Sequence, residues 1–263
     1  MLQPHNASSP PIVLRNNEIH LWLIDEQTVV DADVLMNYPA IISSHEHQRI
    51  SNMKSAKRQQ QYLISCAALR TILAYYLSGS SPAEIRFTKN RHGKPALQEA
   101  SSQLQFNLSH TKGKVLIGIA KQRALGVDIE YIDTKRDIQK IADHYFHHNE
   151  WDSSLMGKAS RNKNELAKQF YKLWTLKEAF IKAEGKGLNS PLDSFYFEDC
   201  ESKKPKLFVT NSNAGPRINW KFEHAFITPD HSLAIAFEDS CSDKEVRIIT
   251  RNCIPQLSFS PIE

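Results

Sequence analysis

Three carboxylates and one lysine in this chain have a spacing that could gather them around a metal ion. Asp128 and Glu130 lie in a short segment whose composition predicts a β-strand, and side chains two residues apart in a strand project to the same side. Glu178 and Lys182 are spaced i and i+4 in a segment with helical periodicity, so they would share one helix face. Adjacent anions repel unless a cation joins them, and Mg²⁺ binds carboxylates together with substrate phosphates. The pattern therefore predicts a magnesium diphosphate site.

Each of these patterns also has an ordinary interpretation. An isolated Asp-x-Glu is often a solvated strand face, since charged residues are mostly exposed. Glu178 and Lys182 would then form a surface salt bridge worth a few tenths of a kcal/mol. Trp174 and Ile181 argue for burial of this helix face, because an exposed ion pair seldom needs such apolar neighbours. From the pattern alone, both interpretations of the helix stay open.

Further residues are candidates for contacts with phosphate groups. Lys94 lies in a predicted tight turn at residues 91–95, and its ammonium group suits a phosphate, although a plain charged turn has the same pattern. Ser109 and His110 follow a predicted strand, where a hydroxyl and an imidazole can bond phosphate oxygens or cap a turn. Lys57 begins the first long helix and could reach a peripheral phosphate, or simply be solvated.

Hydrophobic periodicity predicts the elements that must position these residues. The first half has predicted strands at 18–24, 84–87, 104–108 and 115–120, with a helix within 50–77. The second half begins with a predicted strand at 126–131, followed by a helix near 137–149, a polar loop at 152–164, a long helix ending at 184 and strands near 193–198, 206–210, 217–226 and 232–238.

A helix followed by strands, twice over, predicts an α+β fold of two similar subdomains related by a pseudo-twofold axis. We expect a loose head at 1–17, an N-terminal subdomain at 18–124, a C-terminal subdomain at 125–240 and a peripheral tail at 241–263.

Composition limits the classes of protein to consider. The chain has 263 residues, of which 41% are hydrophobic and 24% charged, enough for a substantial core. Its longest apolar run, Val115–Ala120, is too short to span a bilayer, and its four cysteines have no zinc-like spacing. These features predict a cytoplasmic protein with free thiols and no membrane contact. The net charge of +4 does not demand nucleic acid, but it favours an anionic substrate or an acidic partner.

Four segments, in order along the chain, resemble the 4′-phosphopantetheinyl transferases of the Sfp type. They are Arg91-His-Gly-Lys-Pro95, Phe106-Asn-Leu-Ser-His110, Gly126-Val-Asp-Ile-Glu130 and Phe170-Tyr-Lys-Leu-Trp-Thr-Leu-Lys-Glu-Ala-Phe-Ile-Lys-Ala-Glu-Gly-Lys-Gly-Leu188. The resemblance runs from about residue 18 to about residue 238, and the last segment is by itself highly specific for the family.

The resemblance implies a cleft between two similar α+β halves that binds coenzyme A and Mg²⁺. The implied roles are metal ligation by Asp128, Glu130 and Glu178, diphosphate binding by Lys182, phosphate binding by Lys94, Ser109 and His110, and a looser nucleotide contact by Lys57. Gln61 departs from the family, which often has arginine near this position of the helix.

The implied reaction moves the phosphopantetheine arm of coenzyme A to a serine of an acyl or peptidyl carrier protein and releases adenosine 3′,5′-bisphosphate. Either Glu150 or Glu178 would serve as the base, and Glu150 could equally be a solvated carboxylate. The expected protein is a monomer that serves nonribosomal peptide or polyketide synthases. The alternative is a non-catalytic module of the same fold that binds coenzyme A or carrier protein, and a nucleic-acid-binding protein is a more distant one.

Overall fold

The structure, a computed structural model, describes most of the chain. The described residues are 12–29, 32–77, 80–98, 103–151, 162–187, 190–200, 205–210, 219–239, 245–254 and 258–261. Most of the predicted head, most of the polar loop predicted at 152–164, and Leu188 of the last motif lie outside these residues.

Two halves of the chain contain a similar series of elements, a strand, then helices, then four strands. The first half has β1 (Glu18–Asp25), α1 (Ala32–Asn37), α2 (Ser44–Ser51), α3 (Ala56–Tyr76), β2 (Phe87–Lys89), β3 (Pro95–Leu97), β4 (Leu104–Thr111) and β5 (Lys114–Lys121). The second half has β6 (Leu125–Tyr131), α4 (Ile138–Tyr145), α5 (Lys163–Glu184), β7 (Phe195–Glu198), β8 (Lys206–Val209), β9 (Trp220–Thr228) and β10 (His231–Glu238). Two further strands follow, β11 (Arg247–Ile254) and β12 (Ser258–Pro261).

The strand order within the sheets confirms the predicted α+β fold with two similar halves. In the first half, β5 lies between β1 and β4, and both neighbours are antiparallel to it. In the second half, β10 lies between β6 and β9 in the same antiparallel manner. Each half also has one long helix after its first strand and a separate two-stranded hairpin, β2–β3 or β7–β8.

Three hydrophobic clusters hold the layers together. One packs α3 against the first sheet, around Trp22, Ile72 and Ile117. Another packs α5 against the second sheet, around Phe180 and Phe222. The third lies between the two sheets, and its members come from β1, β5, β6 and β10: Ile19, Leu21, Leu116, Ala120, Leu125, Val127, Ile129, Leu233, Ile235 and Phe237. The halves therefore share a core, which fixes the position of β6 relative to the first half.

The sequence of α5 explains its length and its ends. Asn162 caps the first turn by accepting a hydrogen bond from the Asn164 amide, and Gly185 ends the helix in the left-handed conformation with φ of 70°. Buried apolar residues recur every three or four positions between these ends, including Phe170, Leu173 and Phe180. This periodicity leaves Glu178 and Lys182 on the neighbouring face, as the sequence predicted.

Some predicted elements differ from the structure. The helix predicted within 50–77 is α3, which begins after Ser55 because the side chain of this residue caps the Arg58 amide, and the preceding α2 was not predicted. The strand predicted at 84–87 is displaced to β2, since Pro82–Glu84 forms a 3-10 helix instead. The described part of the predicted tail joins the first sheet, where β11 lies parallel to β1. There the Arg251 guanidinium lies 5.8 Å from the centre of the Trp22 ring.

Candidate active site

Side chains from three elements converge where β4 lies alongside the edge strand β6. The ammonium nitrogen of Lys182, from α5, lies 2.6 Å from Asp128 Oδ1 on β6 and 2.9 Å from Ser109 Oγ on β4. The Ser109 hydroxyl in turn donates to the same Asp128 oxygen at 2.8 Å. The structure therefore brings together three residues that the sequence named separately.

The second carboxylate oxygen of Asp128 is buried without a hydrogen-bond partner. Asp128 is 3% exposed, and its Oδ2 atom has no donor within reach among the described residues. A buried carboxylate oxygen without a partner is costly, since it has lost its hydration and gained nothing. This atom is the strongest indication in the site that a cation belongs here.

Glu130 and Glu178 border a cavity of about 380 Å³ beside Asp128, together with Trp174 and Lys182. Burial, and secondly the Asp128 charge, raises the pKa of Glu130 to about 7. The same two causes raise the pKa of Glu178. Glu130 and Glu178 thus lie beside Asp128 in a place that disfavours their charge, and a divalent cation would relieve this.

The carboxylates do not enclose a ready-made metal site in this arrangement. Across the described residues, no three histidine, cysteine, aspartate or glutamate side chains are grouped closely enough to hold a metal ion. At Asp128 the ammonium group of Lys182 supplies the positive charge. The donor set of oxygen ligands suits Mg²⁺, and the unpartnered Asp128 oxygen faces no competing donor.

Backbone amides along the free edge of β6 donate hydrogen bonds to side chains of β4 rather than to the backbone of another strand. Asn107 Oδ1 accepts the Val127 amide at 2.9 Å, and Thr111 Oγ1 accepts the Tyr131 amide at 2.9 Å. Thr111 also donates to Glu130 at 3.2 Å. Asn107 and Thr111 were not predicted as site residues. Their alternation with Ser109 along one strand was the available signal, since such residues share a face.

A larger cleft of about 1270 Å³ opens beside the carboxylates and is lined by both halves of the chain. His110, Glu178 and Lys182 border both cavities. Four cations that the sequence analysis did not single out also line the larger cleft, namely Arg49, Arg70, Arg86 and Lys89. They come from α2, from α3 and from β2 with the residue before it, so no single local pattern in the sequence marks them as a group.

His110 and Lys57 lie in different surroundings. His110 is on the rim of the larger cleft, and its pKa is lowered by partial burial and then by the Lys182 charge. Lys57 is exposed in the first turn of α3 and is not among the residues that line either cavity. Its charge acts on Glu26, which accepts a hydrogen bond from Gln61 at 2.6 Å. The structure thus does not bring Lys57 to the cleft.

Lys94 borders the larger cleft, but its ammonium group bonds to the protein. It donates to the carbonyl oxygens of Leu125 at 3.0 Å and Ala183 at 3.1 Å. Burial lowers the pKa of Lys94 to about 8. The sequence placed Lys94 in a turn correctly, and the described contacts of its nitrogen are with backbone oxygens.

Glu150 does not join the other carboxylates. Its side chain has no exposed surface and lies 2.5 Å from the ammonium nitrogen of Lys177, which is equally buried. It also accepts the Phe197 amide at 2.9 Å and the His147 amide at 3.0 Å. The interpretation of Glu150 as a solvated carboxylate is wrong, because the residue is an internal counter-ion.

Comparison with known proteins identifies the family. A family model described as the 4′-phosphopantetheinyl transferase superfamily matches residues 124–237, and one described as 4′-phosphopantetheinyl transferase, N-terminal, matches residues 32–123. The 4′-phosphopantetheinyl transferase HetI of Nostoc sp. is 31% identical over 191 residues, which cover 72% of this chain and 78% of the relative. This chain belongs to the 4′-phosphopantetheinyl transferase family.

Other members extend the similarity. The 4′-phosphopantetheinyl transferase Sfp of Bacillus subtilis is 32% identical over 160 residues, covering 60% of this chain and 66% of the relative. A putative 4′-phosphopantetheinyl transferase of Synechocystis sp. is 28% identical over 246 residues, covering 90% and 92%. The resemblance inferred from the four motifs is therefore confirmed. 4′-Phosphopantetheinyl transferases use coenzyme A and act on carrier proteins, which makes this chain a transferase of the phosphopantetheine arm.

Proposed function

We propose that this transferase moves the 4′-phosphopantetheine group of coenzyme A to a serine hydroxyl of an apo carrier protein, in a reaction that requires Mg²⁺. The serine oxygen forms a bond to the phosphorus that carries the pantetheine. The bond from that phosphorus to the bridging oxygen breaks, and adenosine 3′,5′-bisphosphate leaves. The unpartnered, buried oxygen of Asp128 between Glu130, Glu178 and Lys182 is the observation that carries this proposal.

Asp128, Glu130 and Glu178 would hold the metal. The chemistry it would supply is neutralisation of the diphosphate and of the charge on the leaving group. The raised pKa values of Glu130 and Glu178 support this assignment, because a cation would favour the charged form of both carboxylates. Among the described residues, Asp128 has an ammonium nitrogen within salt-bridge distance, and Glu130 and Glu178 do not.

The larger cleft suits coenzyme A as the phosphate donor. Arg49, Arg86 and Lys89 give it a positive wall, which attracts the phosphates of the nucleotide end. Lys182, at the junction of the two cavities, would stabilise the charge that develops on the diphosphate oxygens. Ser109 and His110 flank that junction and would bond the same oxygens.

We assign the role of base to Glu178 rather than to Glu150. Glu178 lines both cavities, at the junction where the serine hydroxyl would meet the diphosphate. A base must lie within hydrogen-bonding reach of the proton that it removes, and Glu150 is enclosed with Lys177 inside the second half. The serine proton would therefore pass to Glu178.

The surroundings of the reaction are part of the same proposal. We expect a monomer in the cytoplasm that serves carrier domains of nonribosomal peptide or polyketide synthases. None of the described helices has the length and apolar composition of a membrane span. Cys66 is a free thiol, which suits a reducing compartment. The positive net charge of +4 suits an acidic carrier protein.

Replacing one metal ligand tests the proposal. Asp128→Asn keeps the size of the side chain and one oxygen but removes the charge. We expect it to abolish phosphopantetheine transfer at ordinary Mg²⁺ concentration, measured by intact mass of an apo carrier protein. Asp143→Asn is the matched control, because Asp143 is exposed on α4 and borders neither cavity. Full transfer by Asp128→Asn in limiting Mg²⁺ would remove the metal site from this proposal.

A further inference from the structure

The turn between β2 and β3 caps the carboxyl end of α5, although turn and helix belong to different halves of the chain. Lys94 Nζ donates to the Ala183 carbonyl at 3.1 Å and to the Leu125 carbonyl at 3.0 Å. Asn90 Nδ2 donates to the Gly185 carbonyl at 2.8 Å. Two side chains of one turn thus bind the last residues of α5 and the first residue of β6.

These bonds satisfy carbonyl groups at the end of α5 that have no hydrogen-bond partner within the helix. The last four carbonyl groups of a helix have no amide partner within the helix, and positive charge is favourable at this end. Gly185 closes the helix by donating its amide to Ile181, and this leaves the Ala183 carbonyl for an outside donor. Lys94 is that donor, and its charge is of the favourable sign.

Glycines at the contact show how closely the three segments approach. A Cβ atom on Gly185 would lie 2.9 Å from Lys94 Cδ and 3.2 Å from Asn90 Nδ2. A Cβ atom on Gly126 would lie 2.0 Å from the Ala179 carbonyl oxygen. Real Cβ atoms essentially never approach within 3.0 Å of another atom, so β6 packs against the backbone of α5 at Gly126, and the side chains of the turn pack closely on Gly185.

We infer that Lys94 and Asn90 are positioning residues, which hold the end of α5 so that Lys182 meets Ser109 and Asp128 at the junction of the two cavities. Lys182 lies in the last turn of α5, next to the carbonyl that Lys94 binds. A shift of this turn would move the Lys182 ammonium group away from both partners, which lie 2.6 and 2.9 Å from it. Lys94 thus acts through Lys182, and its nitrogen stays on backbone oxygens instead of a phosphate.

The test uses two variants that weaken the cap differently. Lys94→Met keeps the hydrocarbon chain and removes the donor. Asn90→Asp removes the donor to Gly185 but keeps the oxygen that accepts the His92 and Lys94 amides and so preserves the turn. The control is Lys163→Met, an exposed lysine at the opposite end of α5.

Three quantities are measured on each variant of the full chain. They are the affinity for coenzyme A by calorimetry, the single-turnover transfer rate at saturating coenzyme A and carrier protein, and deuterium exchange of the peptide covering residues 178–187. The rate measurement rests on the proposed transfer reaction, whereas the exchange measurement needs no activity. If the wild-type protein shows no transfer, the proposed function is contradicted. The exchange measurement still tests the cap in that case.

We expect both cap variants to keep the coenzyme A affinity of the wild type, to exchange faster at 178–187 and to lose about tenfold or more of the saturating rate. Lys163→Met should match the wild type in all three quantities. A loss of coenzyme A affinity in Lys94→Met that Asn90→Asp does not share would overturn the inference in favour of a phosphate ligand. Unchanged exchange and rate in both cap variants would overturn it as well. Should Lys94→Met fail to fold, Asn90→Asp carries the same expectations.

Discussion

Glu150 and Lys177 form a buried ion pair, and removing the charge of Glu150 separates a structural role from a catalytic one. Neither side chain has exposed surface, and the two charged groups lie 2.5 Å apart. Lys177 also donates to the carbonyls of Leu192 at 2.7 Å and Phe195 at 2.6 Å. The pair thus joins α5 to the segment before β7 and to the residues that follow α4.

The expected loss of stability follows from this burial. Breaking a buried pair by neutralising one partner costs about 3–5 kcal/mol, because the other charge is left without compensation. Glu150→Gln keeps an oxygen for the Phe197 amide, so we expect about 3 kcal/mol, at the low end of that range. For a chain of this size each kcal/mol lowers Tm by about 2–4 °C, which gives a decrease of roughly 6–12 °C.

The assay pairs thermal unfolding with the saturating single-turnover rate, measured well below the unfolding temperature of every variant. Glu150→Gln should lose stability and keep its rate. Glu178→Gln should lose about a hundredfold or more of the rate, the scale of one general base, without a comparable loss of stability. Glu165→Gln, an exposed residue in the first turn of α5, is the control. A Glu150→Gln protein with wild-type Tm and a rate as low as that of Glu178→Gln would refute the reasoning.

Three other perturbations have defined outcomes. Lys182→Met should lower the saturating rate by about a hundred- to a thousandfold, which is the effect of losing one group that stabilises charge in the transition state. An unchanged rate would show that the contact of Lys182 with Asp128 is a salt bridge without a role in transfer. Gly126→Ala should lower the free energy of unfolding by more than the roughly 1–3 kcal/mol typical of overpacking, because the new methyl group would lie 2.0 Å from the Ala179 carbonyl oxygen; a urea unfolding curve identical to that of the wild type would contradict this packing. Burial lowers the pKa of His20 to about 4, so the unfolded chain binds a proton that the folded one does not, and the free energy of unfolding should fall between pH 6.5 and 4 by on the order of 3 kcal/mol. A His20→Gln protein with the same acid slope as the wild type would contradict that assignment.

Local periodicity was enough to predict the parts of the site that lie within one element. Asp128 and Glu130 are two residues apart in β6, and Glu178 and Lys182 are one turn apart in α5, so spacing alone placed each pair on one face. The order of elements likewise predicted two similar halves, because each repeats a strand, a long helix and a set of strands.

Contacts between distant segments could not be predicted in this way. Nothing near Lys94 in the sequence indicates that it binds a carbonyl 89 residues away, and a lysine in a turn has the same pattern whether it binds a phosphate or a helix end. Glu150 had the appearance of a solvated carboxylate until its partner, Lys177, was placed beside it. The strand β11 was missed because its place beside β1 depends on the fold of the whole chain.

The most direct measurement is the intact mass of apo carrier proteins, one acyl and one peptidyl, after incubation with this protein, coenzyme A and Mg²⁺, with an EDTA control. We predict that the carrier gains one phosphopantetheine group, that EDTA prevents the gain, and that the peptidyl carrier reacts faster. No gain on either carrier, from a folded protein that still binds coenzyme A, would contradict the proposed transfer and indicate a non-catalytic binding module.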